Sequence, residues 1–375
     1  MLIEIDGSAV EDAVQTSGSQ AVSRDCIENL LLAHHDGKHV VYIKPEHVAA
    51  LTPVAEGLSP RARGALRSIK SQQSEIRGLR NRLRWILRVG LGPTFNRGSV
   101  TQEGKAAILV PLHDFHDQER LGRAVLLGEN LTDAALYLAM GRAFLAFLRW
   151  RTQQLSFTRQ GGGGSTTASC FEELVKEGTI VLTIVDSDRK HPDDAVGGTA
   201  AKVLSKPRTA LQEVHVLHVR FAENLLSSAI YVQAFTEQKK EKKLASLTRL
   251  MQAEALPSPA PWRDHADLKH GIRLFQVRGM APGSQEAAFW SSVAGALQRG
   301  QCQDERTVPC GKVEECRCYV TDVLGSDALE LAVAWIEPRD PARNARLLGI
   351  TRNTPTGDLC EKVLAWGIAL AARQA

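Results

Sequence analysis

The amino-acid sequence predicts an α/β protein with a central parallel sheet, a helix-rich segment before it and a small α+β segment after it. Three observations carry this. Between residues 122 and 272, short apolar runs alternate with amphipathic stretches, the pattern of strands joined by helical crossovers. Runs such as "AVLLG" and "TIVLTIV" are apolar throughout, as strands buried on both faces are. Acidic residues follow directly on these runs, and ligands of parallel sheets gather at the carboxyl ends of strands.

Composition sets the outer bounds. At 375 residues the chain is long enough for two or three domains, and its 43% hydrophobic and 23% charged content is ordinary for a globular protein. The formal charge of +4 is too small to indicate nucleic-acid binding by itself. No run of 18 apolar residues occurs, so no membrane span or membrane partner is expected. The acidic start "MLIEIDGSAVEDAV" lacks the basic-then-apolar pattern of a secretory signal. A cytoplasmic protein with reduced thiols is the expectation.

Residues 1–121 read as an accessory domain. Residues 1–22 are polar and expected to be loose. They are followed by a helix ("DCIENLLLAHH"), a strand ("KHVVYIK") and a helix from Pro45. Residues 59–89 predict one long amphipathic helix. At 100° per residue, Ile69, Ile76, Leu79, Leu83 and Ile86 share one side, with Arg63, Arg67, Lys70, Arg77, Arg84 and Arg88 opposite. Such a basic stripe is either a solvated face or a track for a phosphate backbone, with Arg77, Arg84 and Arg88 as the candidate contacts. Residues 90–121 read as irregular.

Residues 122–272 form the predicted core. "RAVLLG" is a strand and "LTDAALYLAMGRAFLAFLRW" a helix; "QLSFTR" is a second strand and "SCFEELVKEG" a helix. "TIVLTIVDSD" is a third strand, "GGTAAKVLSK" a helix, and "EVHVLHVRFAENLL" a strand entering a helix. The run Gly161 to Gly164 admits two readings, a flexible tether or a tight loop within one domain. Its place between a strand and a helix favours the loop, where Gly162 and Gly163 let the backbone approach a phosphate. No Lys-Ser/Thr follows, so it is not a P-loop.

Residues 273–375 mix helices with strands ("CRCYVTDVL", "ALELAVAWIE") and close on the apolar helix "DLCEKVLAWGIALAARQ". Here Cys302, Cys310, Cys316 and Cys318 lie within seventeen residues. Four thiolates suit a structural zinc ion, although the spacing lacks the usual two-residue knuckle. Buried small hydrophobes are the other reading.

The carboxylates at the strand ends carry the chemistry. Glu129 ends the first core strand, Asp133 lies four residues on, Asp186 and Asp188 end the third strand, and Glu223 follows the fourth. Converging carboxylates repel unless a cation lies between them, and oxygen-only donors suit Mg²⁺ or Mn²⁺. In an extended Asp-Ser-Asp both carboxylates point to one side.

The order "GEN-x-x-D … GGGG … VDSDR … FAENLL … DLKHG" resembles the Toprim domain, the metal-binding fold of topoisomerases, bacterial primases and a group of nucleases. It is most similar to the nuclease branch, the overcoming-lysogenisation-defect family and small standalone relatives. The resemblance covers roughly residues 122–272 and implies a Toprim-like Rossmannoid core. It implies that Glu129, Asp133, Asp186, Asp188 and Glu223 hold the metal, and that Lys269 joins Glu129, Asp186 and Asp188 in catalysis. The implied activity is phosphodiester hydrolysis of DNA or RNA, with water activated by the metal. The implied setting is a bacterial antiphage or mobile-element system, with a separate ATPase or sensor protein as partner and a homo-oligomer as one assembly. Where the family opens with Val-Glu-Gly, this chain has Gly128-Glu129-Asn130. A non-catalytic Toprim-like scaffold that binds nucleic acid or protein is the alternative. A topoisomerase would need a nucleophilic tyrosine, and none of Tyr42, Tyr137, Tyr231 and Tyr319 has a recognisable context.

Overall fold

Leu2–Ile5, expected in a loose polar edge, is instead an inner strand of a sheet. In the computed structural model, which describes residues 1–15, 20–102, 105–258, 261–302 and 318–370, these residues form β1, followed by β2 (Val40–Ile43), β3 (Trp85–Gly90), β4 (Gly98–Gln102) and β5 (Lys105–Pro111). The sheet order is β2-β1-β3-β5-β4. All pairs are parallel except β4 with β5. Ile3, Ile5, Val41, Leu87, Val89 and Val110 are buried in it. Four residues, three of them apolar, sufficed to make β1 because neighbours on both sides bury them.

The helix expected over residues 59–89 is broken into three elements. Ser59 caps a helix over Pro60–Ser71, a second helix spans Gln73–Arg82, and the chain then extends into β3. Trp85–Gly90 is a strand, in which successive side chains point to opposite faces, so the helical wheel that aligned Arg84 and Arg88 with Arg77 does not apply. Residues 90–121, read as irregular, contain β4 and β5.

The second sheet contains β6 (Ala124–Gly128), then, after β7 (Gln153–Leu155), β8 (Phe157–Gly161), β9 (Val181–Val185) and β10 (Gln212–Val216), in the order β10-β9-β6-β8. β6 runs parallel to both β8 and β9, with Leu127 opposite Gln160 and Thr183. The helices Leu131–Phe147 and Thr167–Lys176 make the crossovers from β6 to β8 and from β8 to β9. Helix Leu131–Phe147 is apolar nearly all round and packs on helix Pro355–Gly367.

The chain forms two units that are discontinuous in sequence, where three consecutive domains (1–121, 122–272, 273–375) were expected. The first comprises residues 1–184, 205–215 and 350–375, and the second residues 185–204 and 216–349. The second unit is mainly helical, with a short antiparallel pair β11 (Ile272–Arg273) and β12 (Tyr319–Thr321). "ALELAVAWI", expected as a strand, is a helix over Ala328–Ile336. Its buried Ala328, Leu329, Ala332, Val333 and Ile336 follow helical spacing, and Ala, Leu and Glu are strong helix formers. In the first unit β13 (Ile368–Leu370) pairs with β7. There the buried Met1 amine donates to the Ile368 carbonyl at 2.8 Å, and burial pushes its pKa down to about 4. Among the described residues no helix is long and apolar enough to cross a membrane.

Candidate active site

In the first unit, the turn after β6 is built on backbone contacts with the glycine run. Gly128 O accepts from Gly162 N at 2.9 Å and Glu129 O from Gly164 N at 3.0 Å. A Cβ on Gly162 would lie 2.5 Å from Thr167 Oγ1 and 2.7 Å from its Cα, and Gly163 has φ +76°. The four glycines are therefore a packed intradomain loop, not a tether. Asn130 and Asp133 form a capping box: Asn130 Oδ1 accepts from Asp133 N at 3.0 Å, and Asp133 Oδ2 from Asn130 N at 3.1 Å. Asp133, expected at the metal, is buried, with one carboxylate oxygen engaged in starting the helix.

In the second unit, Asp186, Ser187 and Asp188 are held from two sides. Buried Asp186 accepts the Ala222 N–H on Oδ1 at 3.0 Å. Ser187 Oγ donates to Val219 O at 2.7 Å, and Asp188 N donates to Arg220 O at 3.0 Å. Asp188 does not continue the extended chain: its φ is +56°, so the alternation that placed both carboxylates on one side fails there. Gly197 leaves it room, since a Cβ at that position would lie 2.1 Å from Asp188 Oδ2.

Glu223 sits on a 3-10 turn over Ala222–Leu225, where a strand running into a helix was expected. It is buried, its Oε1 lies 3.2 Å from Lys269 Nζ, and its Oε2 has no hydrogen-bond partner. The turn is fixed by Tyr231 OH donating to Glu223 O at 3.0 Å and by Asn224 Nδ2 donating to Ala266 O at 3.0 Å. Burial raises the Tyr231 pKa far above that of a free phenol. The Lys269 ammonium also lies 4.9 Å from the centroid of Phe221. Arg220 and Phe221 were passed over in the sequence because a strand reading of "VHVLHVRFA" gave them no special place.

Glu129 follows β6 in the first unit, and Asp186 follows β9. Asp186, Asp188 and Glu223 belong to the second unit, and the turns that carry them are joined by the bonds at Ala222 and Arg220. Oxygen-only donors and an unpartnered buried carboxylate oxygen fit a hard divalent cation. Among the described residues, no three His, Cys, Asp or Glu side chains already stand grouped as a metal site.

The other expected sites fare differently. Arg84 Nη1 lies 2.6 Å from Asp358 and 3.3 Å from Glu361. Arg88, on β3, lies 2.7 Å from Asp6 and 3.7 Å from Glu4. Arg77 alone of the three expected phosphate contacts remains exposed on a helix. Cys302 is disulfide-bonded, and its sulfur lies 3.7 Å from that of Cys318. A disulfide sulfur is not the thiolate that zinc takes. Cys310 and Cys316 lie outside the described residues.

Comparison of the chain with models of known families, with characterised proteins and with solved structures gives no match. The Toprim resemblance rests on motif order and strand context.

Proposed function

We propose that the chain is a divalent-metal-dependent nuclease with a Toprim-like active site, acting on DNA or RNA. The observation that carries this reading is the buried Asp186–Ala222 bond, which ties the Asp-Ser-Asp turn to the turn bearing Glu223 and its unpartnered Oε2. Buried carboxylates without enough donors are costly unless a cation compensates them.

In this reading Asp186, Asp188 and Glu223 supply oxygens to Mg²⁺ or Mn²⁺. The bound ion supplies Lewis-acid chemistry and an activated water. Ala222 N–H orients Asp186, and Lys269 balances the charge of Glu223. The resemblance adds an effector role in bacterial antiphage or mobile-element systems, beside a separate ATPase or sensor.

The test is incubation of the purified chain with plasmid, single-stranded DNA and RNA, with Mg²⁺, Mn²⁺ or chelator. Cleavage in metal, absent in chelator and absent from Asp188→Asn, supports the proposal. A second reading, the non-catalytic scaffold, is favoured by Lys269 already occupying one side of Glu223. Binding without cleavage under all conditions, unchanged in Asp188→Asn, would establish it.

A further inference from the structure

Arg220 is placed unlike Arg263 and Arg299 of its unit. Arg263, with 19% of its side chain exposed, bonds Glu254 through Nε, Asn224 O at 3.1 Å and Leu226 O at 2.8 Å. Arg299, equally exposed, reaches Asp322 at 2.7 Å, Val320 O at 3.0 Å and Arg249 O at 3.2 Å. Each of these two arginines has short bonds to one carboxylate and two backbone carbonyls. Arg220 is more buried, at 14%, yet its nearest carboxylate, Asp267, is 3.7 Å away. Its Nη1 makes a long 3.4 Å contact to His265 O, and its buried Nε has no partner.

A guanidinium removed from water normally recovers that cost through short, charge-assisted bonds. Arg220 recovers little of it, and burial lowers its pKa despite the influence of Asp267, Asp188, Glu286 and Asp194. Its position is nonetheless well defined. Its carbonyl accepts from Asp188 N at 3.0 Å, its own N–H donates to Asp264 O at 2.7 Å, and the guanidinium lies 4.7 Å from the centroid of Phe221. Lys269 lies near the same ring, but its ammonium is held by Glu223 at 3.2 Å. One cation beside the carboxylates therefore has a close carboxylate partner, and the other has donor capacity to spare.

We infer that Arg220, rather than Lys269, is the residue that grips a phosphate group of a nucleic-acid ligand beside Asp188. The inference rests on the nuclease reading for the identity of the ligand. A phosphate oxygen would give the fork-shaped guanidinium the short bonds it lacks, and a lysine cannot reproduce that fork.

The experiment measures binding of a labelled twenty-nucleotide single-stranded DNA in chelator, over a range of salt, together with cleavage in Mg²⁺ and Mn²⁺. Arg220→Gln is expected to bind about tenfold more weakly, with a salt slope smaller by about one. Arg220→Lys should fold as the parent does and recover only part of the loss. Lys269→Met should weaken binding less than Arg220→Gln does and leave the salt slope unchanged. If the parent cleaves but Arg220→Gln binds and cleaves as it does, the inference fails and the nuclease reading stands. If the parent binds without cleaving and Arg220→Gln binds weakly, the phosphate grip stands and the nuclease reading fails. A parent that neither binds nor cleaves overturns both.

Discussion

The carboxylate of Asp186 accepts the backbone N–H of Ala222 at 3.0 Å in a buried setting. Repulsion among carboxylates alone would make removal of one a relief. The bond reverses that expectation, because alanine leaves a buried N–H without a partner, at a cost of about 1–3 kcal/mol. Asp186→Ala should lower the urea midpoint accordingly, while Asp186→Asn, which keeps an acceptor oxygen, should lose less. Both should abolish metal-dependent cleavage. An alanine variant as stable as the parent would contradict the bond.

Glu223 and Lys269 form a pair in which the carboxylate is buried and the ammonium partly exposed. Lys269→Met leaves that carboxylate uncompensated and should cost about 2 kcal/mol. Glu223→Gln should cost less, and the double variant less than the two single costs together. A double-mutant cycle with coupling near zero would show that the pair is not formed.

The glycine run should be intolerant of side chains. Gly162→Ala meets the Thr167 backbone as well as its hydroxyl. Gly163→Ala places a Cβ on a left-handed residue at a cost of about 1–2 kcal/mol. Both should lower the melting temperature. A tether would accept either change silently.

The basic residues once aligned on a single helix should separate by phenotype. Arg88→Ala removes contacts to Asp6 and Glu4 and should reduce stability, since Glu4 is buried. Arg77→Ala should leave the melt unchanged and, where nucleic acid is bound there, flatten the salt dependence. Equal melts for the two variants would contradict the strand assignment of Arg88.

Stability should fall as pH drops below about 7. Burial depresses the pKa of His39, His218 and His265, so each is less readily protonated in the folded chain than at the unfolded value of 6.5. The unfolded chain then binds more protons below that value, and the stabilisation present above it is lost as pH falls toward the folded pKa. The Met1 amine acts with the same sign between 8.0 and about 4. Each fully buried group contributes at most about 1.4 kcal/mol per pH unit. Urea midpoints at pH 7.5 and 5.5 measure this, and His39→Asn should shallow the slope.

What local pattern controls was legible in the residues. The strands "AVLLG" and "VLTIV", the helices between them and the acidic residues at their ends follow from apolar runs and capping chemistry that neighbouring residues supply. The glycine loop was legible too, because a tether cannot interrupt a β-α unit.

Tertiary partners decided the rest. Leu2–Ile5 is too short to announce itself as a strand, and becomes one only between β2 and β3. Trp85–Gly90 changes from helix to strand because parallel pairing with β1 and β5 outweighs a helical periodicity that ran through Arg82 by coincidence. "ALELAVAWI" is ambiguous in its apolar pattern, and its packing in the second unit selects the helix. Asp188 turns left-handed because Gly197 vacates the space its carboxylate fills, a contact between residues nine apart that no period encodes. The positions of Arg220 and Glu223 depend on hydrogen bonds to Asp264, Asp188 and Asp186 across long stretches of chain. Sequence patterns report a residue's own type and near neighbours. The satisfaction of a buried charge depends on groups that only the folded chain brings near.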